Sequence, residues 1–462
     1  MRRRSIARDL GCVGFVFAMA VGCSNNEEQP VNTATGTAAG PIAWAQIFKG
    51  QLEQSGSLVA TTKTGQIVVA GIMQGSVDFG DGGIIDSVSE SDLFLAWINR
   101  DGKVARVRRF GETGGHFPMG LAIDAADNVI VTGIAVGSID FGGGMIDSQD
   151  ADAFVAAFGA DGEYQFAMKA GGAGDQISGQ AVIADDGSIV WSGMFQGDID
   201  IGGTVLTSKG ETDIFVAKLS PMGSVTWARG LGGDKADGNP SIAVTPQGQV
   251  LVGGYYQGTP DLGAGALPDT GMVDGLMLVA LDSAGQTSWS RGTPQEFGYF
   301  AYSMHVDEAG SAWLAGPCAG EVNLFGTKLA TPAQGIAIAK LNATGQPIST
   351  QIFEADAPGY MHATRARGGG IVIAGEFEST IKLAGQTLTS AGQSDLFFIW
   401  IDSDGRVTRQ ERTGGTGKEI FGSVSMLPTG HVVVTGAFEG AMNAGGAAYS
   451  SIDPDGFVMM LN

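Results

Sequence analysis

The chain repeats itself, and nothing else in it constrains the fold as strongly. A glycine placed to close a four-residue turn recurs at Gly102, Gly162, Gly223, Gly285, Gly345 and Gly405, at intervals of 60, 61, 62, 60 and 60 residues. A second glycine, inside an apolar run, recurs at Gly71, Gly133, Gly193, Gly254, Gly316, Gly375 and Gly436. Self-similarity at a fixed long period outranks local propensity, because each repeat is one supersecondary unit that buries its faces only against its neighbours. Seven marks predict seven units.

The fourth unit shows what one repeat contains. Four apolar segments, at about 241–245, 249–256, 275–281 and 287–292, are joined first by the tight turn TPQG, then by a longer polar stretch, then by the tight turn DSAG. Short connections make consecutive strands antiparallel neighbours, so the unit reads as a four-stranded meander, with strands A to D. With 75 Gly in 462 residues and only 16% charged residues, the composition suits short strands and tight turns. No convincing helical periodicity follows residue 40.

A single such sheet, apolar on both faces, cannot bury itself, and radial packing as blades is the stable solution. The ends of the chain fit closure of that ring. PIAWAQIF at 41–48 aligns with the D strands SVTWARGL and QTSWSRGT, placing Trp44 with Trp227 and Trp289, while the last unit stops after its C strand, GFVMMLN. The fold expected is therefore all-β: a seven-bladed β-propeller of four-stranded antiparallel blades over 41–462, closed by an N-terminal outer strand joining the C-terminal blade.

The repeat resembles the bacterial seven-bladed β-propeller repeat family, whose unit runs through an A strand, G-N-V-Y-V-T-G, D-F-G-G, D-A-F-V-A-K-L and a D-x-x-G turn. Here the corresponding text is DNVIVTG at 127–133, DFGGG at 140–144, ADAFVAAF at 151–158 and TDIFVAKL at 212–219. The resemblance spans 41–462, is weakest in the fifth and sixth units, and implies a propeller, often surface-located, with no particular activity.

Residues 1–22 read as an export signal: Arg2, Arg3, Arg4 and Arg8 form a positive start, and Leu10 to Ala20 an apolar run too short to span a bilayer. The Ala20-Val21-Gly22-Cys23 sequence that follows resembles the bacterial lipobox. This implies cleavage before Cys23, lipid on its sulfur and new amino terminus, and anchoring at a membrane without a spanning helix. Residues 23–40 are then the lipidated cysteine and a polar, flexible tether. Ser24 stands where inner-membrane retention commonly shows Asp, so the same resemblance points to the outer membrane. A plain secretory signal is the competing reading.

Without residues 1–22 the chain keeps 22 basic and 47 acidic residues, a net charge near −25. With no basic stripe, such a surface disfavours nucleic acid. Of three cysteines Cys12 leaves with the signal and Cys23 takes lipid, so Cys318 has no disulfide partner and reads as a small buried apolar residue.

Two Asp columns recur: Asp78, Asp140, Asp200 and Asp261 after strand B, and Asp92, Asp152, Asp213, Asp274, Asp395 and Asp455 before strand C. A residue present in nearly every repeat serves what every repeat needs, and short carboxylates capping backbone N–H groups in turns are such a need. Calcium is the rival reading, although it requires six to eight converging oxygens and no D-x-[DN]-x-[DN]-G loop is present; Asp147, Asp150 and Asp152 come nearest. No cofactor is expected. Glycine strings such as FGGG lack the strand-to-helix context of a dinucleotide fingerprint. The connections expected to elaborate one face are B–C loops of about 18 residues and D–A loops of about ten.

Departures from the repeat mark the candidate site. One column of strand A reads Ala60, Ala122, Val182, Ala243, His305, Arg365 and Ser425, small in most units and large and polar in two adjacent ones. Tyr302 and His362 share an earlier column. Innermost strands line a propeller's tunnel, so these four residues are candidates for binding an anionic or sugar-like ligand. The bland alternative pairs Arg365 with Glu376 or Glu378 and leaves His305 in the core; alternation also aims the two columns at opposite faces.

Catalytic signatures are missing: four His occur without H-E-x-x-H, G-x-S-x-G or a Cys–His pattern. The sequence thus reads as an exported, lipid-anchored cell-envelope propeller serving as a non-catalytic binding or interaction module for an unknown protein or glycan. The alternative is a carbohydrate-active hydrolase or lyase with its site near the tunnel at the fifth and sixth blades, where paired carboxylates such as Glu376 and Glu378 could do glycosidase work.

Overall fold

The computed structural model describes residues 42–294, 303–356, 358–383 and 385–462. The segments expected to be signal and tether, with Cys23, and the candidate Tyr302 lie outside the described residues. The chain is all-β, with small antiparallel sheets in a propeller arrangement. Hydrogen bonding sorts the strands into seven sheets, numbered I to VII by the strand that opens each meander, from Gln54–Thr61 in sheet I to Lys418–Met426 in sheet VII.

Sheet IV matches the expected meander closely: Gly238–Val244, Val250–Tyr256, Gly275–Leu281 and Thr287–Pro294 pair in that order. The turn glycines do what their spacing implies. Gly102, Gly162, Gly223, Gly285, Gly345 and Gly405 have φ of 85, 76, 82, 76, 72 and 87°, a region open to glycine at little cost. The strand glycines answer a different need, close approach. A Cβ on Gly71, Gly133 or Gly193 would strike a carbonyl of strand A and the ring of Phe94, Phe154 or Phe215 on strand C.

Apolar cores lie between sheets, not within them. One cluster joins Leu93, Leu95 and Trp97 of sheet I to Val129, Val131 and Phe154 of sheet II; another joins Val433 and Val458 of sheet VII to Val59, Ile67 and Phe94 of sheet I. The N-terminal strand Ile42–Gly50 pairs antiparallel with the last strand, Ala447–Leu461, from Ile42 opposite Leu461 to Phe48 opposite Gly456. Trp44 Nε1 donates to the carbonyl of Arg100 in the following sheet at 2.9 Å, as Trp227 Nε1 does to Ser283 at 3.0 Å, which bears out their alignment. Among the described residues no helix is long and apolar enough to cross a membrane.

Two expectations need correction. Much of the B–C connection is strand rather than loop. In three units it forms a hairpin that adds to the outer strand of the preceding sheet: Ser76–Asp78 on Ile42–Gly50, Asp198–Ile201 on Tyr164–Gly171, and Thr380–Leu383 on Pro347–Ala355. An outermost strand otherwise presents unpaired N–H and C=O groups, and this hairpin covers them. Its alternating apolar side chains, Val77, Ile199 and Ile381, are fully buried. The D–A connections are also shorter than ten residues where both ends are described, as between Phe110 and Thr113, because strand A begins earlier than its apolar pattern suggests.

The Asp columns are turn and seam chemistry. Asp140 Oδ1 accepts from the backbone N–H of Gly142 and Gly144 at 2.7 and 3.1 Å, and Asp261 Oδ1 from Gly263 and Gly265 at 2.8 and 3.1 Å. In the second column Asp92, Asp152 and Asp395 are buried and meet Arg109, Lys169 and Arg412. Among the described residues no group of three or more His, Cys, Asp or Glu is placed to hold a metal ion. Cys318 is buried in the core between sheets IV and V, and burial pushes its thiol up to about 12.

Candidate functional site

Of the four residues singled out by sequence, three are described, and they sit on the first strands of sheets V and VI. His305 belongs to Ser303–Val306, His362 and Arg365 to Pro358–Arg365. The expected shared column does not hold, because the turn after Arg365 is one residue out of step with the aligned glycines: Thr364, opposite Val372, is the counterpart of His305 opposite Trp313, and Arg365, opposite Ile371, is the counterpart of Val306. These strands exchange side-chain bonds instead of pairing. His305 Nε2 donates to the carbonyl of Ala363 at 2.5 Å, Arg365 Nη2 donates to the carbonyl of Val306 at 3.1 Å, and Ser303 Oγ accepts from the N–H of Ala363 at 2.9 Å. Among the described residues Arg365 forms no ion pair, so the pairing with Glu376 or Glu378 is not realised. Its side chain reaches back to sheet V and remains exposed.

Alternation holds along the sheet VI strand. Where Arg365 turns towards sheet V, His362 and Tyr360 turn towards sheet VII and Phe421. Tyr360 donates its O–H to His362 Nε2 at 2.6 Å, their rings lie 4.8 Å apart, and each ring centroid is 6.1 Å from that of Phe421. Glu376, on the next strand of sheet VI, completes the group: its Oε2 accepts from the N–H of Phe421 at 2.6 Å. Glu378 is exposed, whereas Glu376 is half-buried. The two clusters adjoin, since His305 contributes to the electrostatics of His362.

Burial sets the protonation of this region. It holds His362 down to about 4, helped by nearby His305, and it also lowers His305, against the bond to the Ala363 carbonyl and with Arg365 beside it. Both imidazoles are therefore neutral near pH 7, which lets His362 Nε2 accept from Tyr360. Burial also pushes Glu376 up to about 7, against the N–H of Phe421 and the charge of Lys418. The result is a hydrogen-bonding group of Tyr360, a neutral His362 and a half-ionised Glu376 beside aromatic faces, with Lys418 near Glu376 and Arg365 on the opposite face of the strand as exposed cations. Such a set suits hydroxyl-rich or carboxylated ligands better than metal ions or phosphoanhydrides.

Sequence reasoning missed Tyr360 and Phe421. Tyr360 lies two residues before His362, hence on the same strand face, a signal that was available. Phe421 belongs to a different sheet, and no local pattern announces it. A separate open groove of about 490 Å³ lies between sheets IV and V, lined in part by Leu267, Arg291, Thr293 and Phe325, and shares no lining residue with this cluster.

No family model matches this chain, and no curated protein matches it. Among solved structures, the polysaccharide lyase Uly1 aligns at 11% identity and a TM-score of 0.47, over 95% of this chain and 94% of its own. A catalytically inactive virginiamycin B lyase from Staphylococcus aureus aligns at 10% identity and TM-score 0.42, over 91% and 99%. A protein of unknown function from Bacteroides caccae aligns at 13% identity and TM-score 0.36, over 69% and 89%. Likeness at this level carries no argument about what this chain does.

Proposed function

We propose that this chain is a lipid-anchored β-propeller of the cell envelope that binds a hydroxyl-rich or carboxylated partner, a glycan in the first instance, without transforming it. The observation that carries this reading is the pair of polar clusters on the first strands of sheets V and VI. There His305 replaces the small residue that most units place at the same register position, Arg365 lies one position later, where other units carry residues such as Thr61, Ile123 and Val306, and Tyr360, His362 and Glu376 stand beside an aromatic face. The propeller is read as seven blades in a closed ring. The pairing of Ile42–Gly50 with the last strand, the core shared by sheets VII and I, and the bond from Thr61 Oγ1 to the carbonyl of Met426 at 2.8 Å support closure. Anchoring through Cys23, at the outer membrane, rests on the lipobox resemblance alone; metabolic labelling with a fatty-acid analogue, lost in Cys23→Ser, tests it.

Thermal-shift titration of the purified protein with envelope polysaccharide fragments and acidic oligosaccharides tests the binding reading, because a ligand that binds only the folded state raises its stability. The expected result is a saturable shift, weakened at least tenfold in apparent affinity by Arg365→Ala. A shift unaffected by both Arg365→Ala and His362→Ala would move the site elsewhere. One observation favours a second reading, carbohydrate cleavage: Glu376 titrates near neutrality beside a neutral His362 already bonded to a tyrosine O–H, a juxtaposition able to exchange protons. Release of reducing or unsaturated ends from the same polysaccharides, abolished by Tyr360→Phe and Glu376→Gln, would replace binding by catalysis.

A further inference from the structure

The seams between sheets carry a second repeated feature, visible only when neighbouring units are superposed on one another. At the end of three outer strands a pair of glycines precedes the next sheet, and four residues after the second of them stands a buried polar residue. At the seam between sheets II and III this residue is Gln176, between III and IV Asp237, and between VI and VII Glu419, all fully buried. Each takes the same backbone bond. The N–H of Gly172 donates to Gln176 Oε1 at 3.0 Å, that of Gly233 to Asp237 Oδ2 at 2.7 Å, and that of Gly415 to Glu419 Oε1 at 3.0 Å.

The other terminal atom of each side chain is then equivalent too: Gln176 Nε2, Asp237 Oδ1 and Glu419 Oε2. All three are buried without a protein partner. Facing Asp237 and Glu419 stand the column aspartates Asp213 and Asp395 of the preceding sheets, at most 1% exposed, whereas the corresponding Asp152 is held by Lys169 at 2.7 Å. The convergence is tight: a Cβ on Gly232 would lie 2.5 Å from Asp213 Oδ1 and 2.9 Å from Asp237 Oδ2, and one on Gly414 would strike both Asp395 and Glu419. Asp213 Oδ1 and Asp395 Oδ1 are likewise buried and unpartnered.

In Gln176 the equivalent atom is an amide N–H₂, a hydrogen-bond donor. In Asp237 and Glu419 it is an oxygen, which donates only when protonated. Two carboxyl groups this close and this buried cannot both be ionised, and unpaired buried oxygens are costly. We propose that the III/IV and VI/VII seams are proton-gated: Asp213 with Asp237, and Asp395 with Glu419, each share one proton that replaces the amide hydrogen of Gln176, and deprotonation loosens these two seams.

The surroundings agree with one retained negative charge per pair. Arg412 reaches Asp395, and the Lys209 ammonium, whose Nζ donates to the carbonyl of Gly232 at 3.1 Å, faces both Asp213 and Asp237; the N–H groups of Lys209 and Gln257 face that pair as well. Beyond Asp395, Glu419 has Arg412 and the N–H of Gly415 near it. Burial, reinforced by the facing aspartate, pushes Asp237 up to about 7 and Glu419 up to about 8. A carboxyl raised above its unfolded value stabilises the fold fully below that unfolded value, near pH 4, and loses the contribution as pH rises to 7 and 8. The two seams bracket sheets IV to VI, which carry His305, His362 and Arg365.

Urea unfolding of the full chain between pH 5 and pH 9 tests the proposal. Where a pair titrates, the unfolding constant should rise about tenfold per pH unit for each pair, on top of the contribution of Glu376. Asp237→Asn and Glu419→Gln should each remove one such factor and be more stable than the parent at pH 9, and Gln176→Glu should add one. A double amide variant with the parental pH slope would overturn the proposal. A measurement that needs no variant is the infrared C=O stretch of buried protonated carboxyls in the parent protein at pH 6. Intensity for at least three deuterium-sensitive groups is expected, Glu376 and one from each pair, and intensity for no more than one group would refute proton sharing.

Discussion

Gly193→Ala isolates the reason for the glycine that recurs inside strand B. The added Cβ would sit well inside contact distance of the Ile177 carbonyl of the paired strand and 2.6 Å from Cζ of Phe215. Neither neighbour can yield freely. Ile177 is held in register opposite Met194, and the Phe215 ring is packed edge-on against Trp191 at 5.1 Å. Forcing one carbon into such a site costs roughly 1–3 kcal/mol. Replacing glycine by alanine returns about 0.5–1 kcal/mol by restricting the unfolded chain, so the net expectation is a loss of about 1–2 kcal/mol. Gly230→Ala in the same sheet is the control. Its Cβ would lie 3.6 Å from Phe195, ordinary contact, and its backbone is outside the left-handed region, so it should be neutral or stabilising by up to about 1 kcal/mol. Equilibrium urea unfolding at fixed pH reads both. Equal stability of Gly193→Ala and the parent, or equal damage from the two alanines, would refute the close-approach account of the repeat.

Asp140→Ala removes the acceptor for two N–H groups in an exposed turn and should cost about 1 kcal/mol, with the parent's melting temperature unchanged by chelator; a chelator-sensitive melt would restore the calcium reading. Trp44→Ala should cost about 2–3 kcal/mol by emptying the contact with the Gly102 turn and the bond to Arg100, and a loss below 0.5 kcal/mol would argue against the N-terminal strand completing sheet VII. Cys318, buried and with its thiol held protonated, should react with an alkylating reagent only on unfolding; labelling of the native protein within minutes would contradict that burial.

The amino-acid sequence by itself determined the period, the four-strand unit and the role of the turn glycines. Each depends on residues close in the chain: a D-x-x-G turn needs only four positions, and a strand's alternation only its own side chains. It also marked His305, Arg365 and His362 as departures and put Trp44 in line with Trp227. The tertiary structure alone decided which neighbour each of these meets. Alternation says that His362 and Arg365 face opposite ways, but not that one finds Phe421 of sheet VII and the other the carbonyl of Val306. The segment around Ile199 shows apolar alternation without saying that it closes the edge of the preceding sheet. Asp213 and Asp237, or Asp395 and Glu419, are 24 residues apart in the chain and belong to different sheets. Their confrontation is a property of the seam, because the spacing between adjacent sheets, which no local pattern encodes, brings two carboxyl groups onto one glycine.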